Sequence, residues 1–169
     1  NGDRAVPGNL TITTGTLALN ATAGNLSVGG NWSDAGTLTP NNRMVVFTGS
    51  AAQTLTKTGG ETFAALALAK TGGSVQLLSD LNLTGPASGN ALEMNGATDI
   101  LDLNGKTLNV AGTAGGTDAN GTIKGSATSN LIVNGTGALG TLRFTSGSQA
   151  LNNLTLNRTA SGGFTLGSP

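Results

Sequence analysis

The chain has 169 residues, enough for one domain of ordinary size, and its acidic and basic residues balance to zero net charge. With no block of basic residues, binding to nucleic acid or insertion into a membrane is not expected. The absence of cysteine excludes disulfides, thiol catalysis and thiolate metal sites, and no cofactor is predicted.

Short apolar-x-apolar segments recur along the whole chain and predict strands of three or four residues. Because strands alternate faces, the two apolar residues of each segment should point inward and the middle residue outward. The intervening residues are rich in glycine, which favours tight turns. The strongest segments begin at Leu10, Leu17, Leu26, Val45, Leu66, Val75, Leu81, Leu92, Leu101, Leu108, Leu131, Leu142, Leu154 and Phe164, and weaker ones at Leu38, Leu55 and Ile123.

Five of these segments end in asparagine, a residue that tolerates the positive φ of a sharp turn. The five are Asn20, Asn95, Asn104, Asn134 and Asn157. Asparagine side chains can also stack between successive strands and satisfy turn backbone groups. We therefore interpret these residues as structural turns rather than as sites.

The strand spacing predicts an all-β, single-stranded parallel β-helix, or β-solenoid, which is expected to be right-handed. Three strands per turn give about 22–30 residues per rung, and hence about six or seven rungs. A β-sandwich is the alternative, but it needs longer strands and larger core side chains. We expect residues 1–169 to form one continuous solenoid fragment of a longer repetitive protein, with approximate internal repeats at 8–77 and 92–166.

Three carboxylates, Glu93, Asp99 and Asp102, lie close together in the sequence. Some β-helix enzymes cleave polysaccharides with grouped carboxylates, one acting as acid and another as base. Glu93 and Asp102 each stand between two inward residues, so both should face outward and could share a face. The alternative, which we favour, is that these are solvated surface charges and that the chain is not an enzyme.

Three further features raise weaker possibilities. Asp118 and Asn120 have the opening spacing of a calcium loop, although the remaining carboxylates of such a loop are missing. Trp32, the single tryptophan, could stack on a sugar ring, but a lone tryptophan more often fills the interior. Paired threonines such as Thr11 and Thr13 suggest ice binding, but the outward residues of successive strands are too irregular for an ice-binding face.

Segments 8–12, 30–40 and 101–110 resemble repeats of large bacterial surface proteins, the filamentous, adhesin-like β-solenoids of hemagglutinin and autotransporter-passenger type. The resemblance implies an extracellular or cell-surface location and a non-catalytic role as a rigid stalk. It also implies that the partners are neighbouring repeats of the same chain, glycans or cell-surface proteins, with the isolated fragment monomeric. The alternatives are a polysaccharide-processing enzyme and a glycan-binding module.

Overall fold

A computed structural model describes residues 2–115, 121–136, 139–159 and 164–167. These residues form strands and turns that wind into a β-solenoid of about seven rungs, where a rung is one complete turn of the chain. The predicted solenoid class is confirmed, and the right-handed sense stays a prediction. None of the described residues belongs to a helix that could cross a membrane.

Each of the first six rungs contributes three strands. They are β1 (Arg4–Val6), β2 (Leu10–Ile12) and β3 (Thr16–Ala18); β4 (Leu26–Val28), β5 (Trp32–Asp34) and β6 (Thr37–Thr39); β7 (Met44–Gly49), β8 (Gln53–Lys57) and β9 (Glu61–Phe63); β10 (Ala65–Lys70), β11 (Val75–Leu77) and β12 (Leu81–Leu83); β13 (Leu92–Met94), β14 (Ile100–Asp102) and β15 (Thr107–Val110); and β16 (Ala114–Gly115), β17 (Thr122–Lys124) and β18 (Asn130–Gly135). The seventh contains β19 (Gly140–Arg143) and β20 (Asn153–Arg158), and β21 (Phe164–Gly167) follows.

Corresponding strands of successive rungs pair in parallel and build three faces. The first face is the sheet β1-β4-β7-β10-β13-β16, and the second is β2-β5-β8-β11-β14-β17. The third begins with the pair β3-β6 and continues as β9-β12-β15-β18-β20. A single bridge between Ile123 and Phe144 carries the second face into the seventh rung. All the sheet contacts therefore join residues about one rung apart.

The apolar residues of the short strands fill the space between the three faces. In β11 and β12 the first and third residues are buried and the middle residue is partly exposed, as the alternating pattern predicts. One continuous hydrophobic core extends from Leu10 to Phe144. The small aliphatic side chains suffice because each rung supplies its own share of the core.

The rungs are shorter than predicted at some corners. Leu26 pairs with Val45, 19 residues later, whereas Leu81 pairs with Leu108, 27 residues later. The short second rung depends on a tight corner at Gly36, where an added Cβ would lie 2.5 Å from the Gly15 carbonyl oxygen. The expected lower limit of 22 residues was therefore wrong, because glycine lets two strands follow each other almost without a connection.

Candidate functional site

The corner between the third and first faces changes its length sharply over three successive rungs. A four-residue turn, 40–43, joins β6 to β7, and Asn41 and Asn42 adopt positive φ there. Only Ala64 separates β9 from β10 in the next rung, whereas an eight-residue loop, 84–91, separates β12 from β13 in the one after. The tight corner is thus recessed between two longer connections.

This recess is a cleft of about 290 Å³, which we call the corner cleft. The turn and the loop that flank it are two rungs apart, or about 10 Å at the usual strand spacing. Ala65 lies at the tight corner, and the loop forms the opposite wall. The lining residues are Asn25, Asn42, Arg43, Met44, Ala65, Pro86, Ala87, Ser88, Gly89, Asn90 and Glu93.

The loop wall is anchored at both ends. The Gly85 amide donates to the Ala64 carbonyl at 3.0 Å, and the Ala91 amide donates to the Thr113 carbonyl at 2.7 Å. The Thr113 hydroxyl also donates to the Asn90 side-chain oxygen at 2.9 Å. These contacts tie the loop to the rungs on both sides and hold its polar groups in place.

Two opposite charges border the corner cleft without neutralising each other. The Arg43 Nε donates to the Asn41 carbonyl at 3.3 Å, and Asn90 Nδ2 donates to Glu93 Oε1 at 3.2 Å. Neither Arg43 nor Glu93 takes part in the ion pairs found within the described ranges, which are Lys57–Asp34 and Lys124–Asp102. The cleft therefore offers both a cation and an anion to a ligand.

The three carboxylates that could have formed a catalytic group lie in different places. Glu93 is on β13 of the first face, whereas Asp102 is on β14 of the second face. Asp99 lies in the turn between these two strands and is 1% exposed. The two outward carboxylates consequently do not share a face, because the corner between β13 and β14 redirects the chain.

Both aspartates have structural partners. The Asp99 carboxylate accepts from the Lys70 amide at 2.8 Å and from the Gly96 amide at 2.7 Å. Asp102 Oδ2 accepts from Lys124 Nζ at 2.8 Å, and its Oδ1 accepts from the Asn104 amide at 2.9 Å. Each carboxylate thus joins a turn or a rung to its neighbour.

Trp32 lies in the interior, where it is completely buried, so it presents no ring face to a ligand. Its Nε1 donates to Glu61 Oε2 at 2.8 Å. Its ring meets Phe63 edge to face, with ring centroids 5.0 Å apart. Glu61 also accepts from the Thr62 amide at 2.8 Å. A buried carboxylate and the indole therefore satisfy each other in the core.

Burial raises the pKa of Glu61 above 4.5, although the bonds from Thr62 and Trp32 and the charge of Lys57 oppose the shift. Between pH 4.5 and this raised pKa the folded state binds more protons than the unfolded state. We therefore expect the Glu61 contribution to stability to fall as pH rises through that window, with a slope of at most about 1.4 kcal/mol per pH unit. Urea unfolding at several pH values, followed by circular dichroism, measures the slope.

The Glu61→Gln variant is the control for this prediction because it cannot titrate. Its unfolding free energy should depend less on pH than that of the wild type in the same window. An identical pH dependence in the two proteins would show that Glu61 does not titrate differently on folding.

A second polar cluster lies at the corner between the first and second faces. Lys70 Nζ donates to the Gln53 side-chain oxygen and, at 2.9 Å, to the Ala51 carbonyl. Gln53 Nε2 in turn donates to the Gly30 carbonyl at 2.6 Å. Burial lowers the pKa of Lys70, and the charge of Asp99 partly opposes this. The cluster links three rungs through groups that the core would otherwise leave unpaired.

The five asparagine turns have different surroundings. Asn20 Oδ1 accepts from the Thr22 amide at 2.8 Å, and Asn104 adopts a φ of 47° while donating to the Leu77 carbonyl at 3.0 Å. Asn134 Nδ2 donates to Asn109 Oδ1 at 2.8 Å, and Asn109 donates to Asn82 at 2.6 Å. Exposed Asn95 follows β13, and exposed Asn157 pairs in register with Asn134.

Asp118 and Asn120, the weak candidates for a calcium loop, lie outside the described residues. Within the residues that are described, no three of the side chains Asp, Glu, His or Cys come together as a potential metal site.

Sequence reasoning missed Arg43 and the corner cleft. The available signal was the unequal spacing of the strands: Phe63 is followed almost at once by Leu66, whereas nine residues separate Leu83 from Leu92. Comparison of the chain with protein-family models, curated proteins and solved structures found no match.

Proposed function

We propose that the chain is a non-catalytic structural and adhesive segment of a bacterial cell-surface or secreted protein. The observation that carries this proposal is the unbroken stacking of parallel rungs on one core. Such a stack gains length by about 4.8 Å per rung without needing a larger core, which is the property of a stalk. The resemblance of segments 30–40 and 101–110 to adhesin-like repeats supports the same role.

The proposed partners are neighbouring repeats of the same parent chain, together with glycans or proteins of cell surfaces. Leu154 and Leu156 pair in register with the buried Leu131 and Val133, but they are 44% and 57% exposed. Further rungs stacked on β20 would cover these two side chains. The alternative of a polysaccharide-processing enzyme has less support, since Glu93 and Asp102 lie on different faces.

Pulling single molecules from both ends in an optical trap tests the stalk. We expect the chain to resist load and then to unravel in steps of one rung. A rung of 22 residues, such as that between the paired residues Arg4 and Leu26, should release about 70–80 Å. Smooth extension without steps would contradict a load-bearing role. Release of reducing ends from a polysaccharide, abolished by Asp102→Ala but retained in a Lys106→Ala control, would favour the enzyme instead.

A further inference from the structure

We infer that the corner cleft binds a single sugar residue that carries a carboxylate, such as a uronic acid. This inference rests on the adhesive part of the proposed function and names its ligand class. The cleft combines an anchored cation, a hydrogen-bond acceptor and a small apolar surface within one recess of about 290 Å³. That volume is at the lower end for small-molecule sites and fits one sugar ring better than a polymer segment.

Arg43 supplies the contact to the ligand carboxylate. Its Nε is held by the Asn41 carbonyl at 3.3 Å, in a turn whose backbone is fixed by the positive φ of Asn41 and Asn42. The terminal nitrogens form no ion pair with any described residue. A guanidinium fixed through Nε presents a planar pair of donors, the geometry that matches a carboxylate in a two-point contact.

Glu93 supplies an acceptor for sugar hydroxyls. Asn90 occupies one of its carboxylate oxygens, Oε1, and thereby orients the group, while Oε2 has no protein donor among the described residues. Asn90 is itself fixed by Thr113 in the following rung. A carboxylate oxygen accepts hydroxyl protons well, and a neutral acceptor at this position would bind them less strongly.

The apolar part of the recess completes the match to a sugar. Met44 and Pro86 are partly exposed there, and the buried Ala65 lies between them at the tight corner. Sugar rings carry one face of C–H groups that packs on such a surface, while their hydroxyls point to the rim. A simple inorganic anion would use Arg43 but neither Glu93 nor this apolar surface.

The test is a titration of the ¹⁵N-labelled chain followed by NMR. The probes are D-galacturonate, D-glucuronate, neutral D-galactose and acetate, each raised to about 50 mM, because a small, open site is expected to bind in the millimolar range. We expect saturable shifts with a uronate, confined to residues 25, 41–44, 65 and 85–93. Galactose and acetate should bind at least about tenfold more weakly.

Variants separate binding from folding. Arg43→Gln should weaken uronate binding at least about tenfold, and Glu93→Gln should weaken uronate binding more than acetate binding. Arg43→Lys, which keeps the charge but loses the planar donor pair, should fall between the wild type and Arg43→Gln. Arg143→Gln on β19 is the matched control and should bind as the wild type does. Unchanged circular dichroism of each variant establishes that its fold is intact.

The inference fails if no uronate gives saturable shifts, if acetate binds as well as a uronate, or if Arg43→Gln binds normally. Each of these results would leave the stalk untouched, because the stalk is tested by mechanical unfolding. Conversely, smooth extension under load together with uronate binding would overturn the stalk and keep the cleft.

Discussion

Replacing Trp32 by alanine is expected to lower the free energy of unfolding by about 3–5 kcal/mol. The indole is completely buried, and its removal would leave a cavity beside Phe63. Glu61 would also lose the donor that satisfies its Oε2. Urea unfolding followed by circular dichroism measures the change, since the variant no longer contains a tryptophan to report by fluorescence.

Trp32→Phe serves as the control because it keeps an aromatic ring next to Phe63 and removes the indole N–H. Its expected cost is about 1–3 kcal/mol, the penalty for a buried acceptor that loses its donor. A loss of less than about 1 kcal/mol in Trp32→Ala would contradict the packed interior and indicate that the ring lies at the surface.

Replacing Asp99 by alanine is expected to cost about 3–5 kcal/mol, which is a large effect for a polar residue. The carboxylate accepts from two backbone amides, those of Lys70 and Gly96, and both would lose this acceptor. The charge of Asp99 also favours the protonated form of buried Lys70. Thermal and urea unfolding of the variant measure the loss.

Asp99→Asn should lose less stability than Asp99→Ala, because the amide oxygen still accepts from one of the two amides. Full stability of Asp99→Ala, combined with loss of a measurable activity, would instead assign this carboxylate to catalysis. The variant thus separates a structural from a chemical role for one of the three acidic candidates.

The apolar-x-apolar pattern was sufficient to predict the solenoid and most of its strands. All the predicted strand starts, including the weaker ones at Leu38, Leu55 and Ile123, lie within strands. The missed strands include β5 and β9, whose inward positions are held by the buried carboxylates Asp34 and Glu61. A pattern that recognises only apolar residues cannot detect an inward residue whose charge is satisfied by partners elsewhere in the chain.

The grouping of side chains at the surface was less predictable. Local alternation correctly places Glu93 and Asp102 on outward positions, but it does not say where the chain turns a corner between them. The corner cleft depends on three connections of different length, at 40–43, 64 and 84–91, being stacked one above another. Such a recess arises from the register between rungs, and register is a property of the wound chain rather than of any one segment.

The rung-by-rung pairing has a consequence for how this chain acquires its structure. The partner of each strand lies a fixed, short distance behind it, between 19 and 27 residues for the pairs Leu26–Val45 and Leu81–Leu108. Every added rung therefore closes a loop of nearly the same entropic cost on a template that already exists. Folding can start at one nucleus and propagate as a zipper, so that a chain emerging in order from its N-terminus can be structured before its last residues are made.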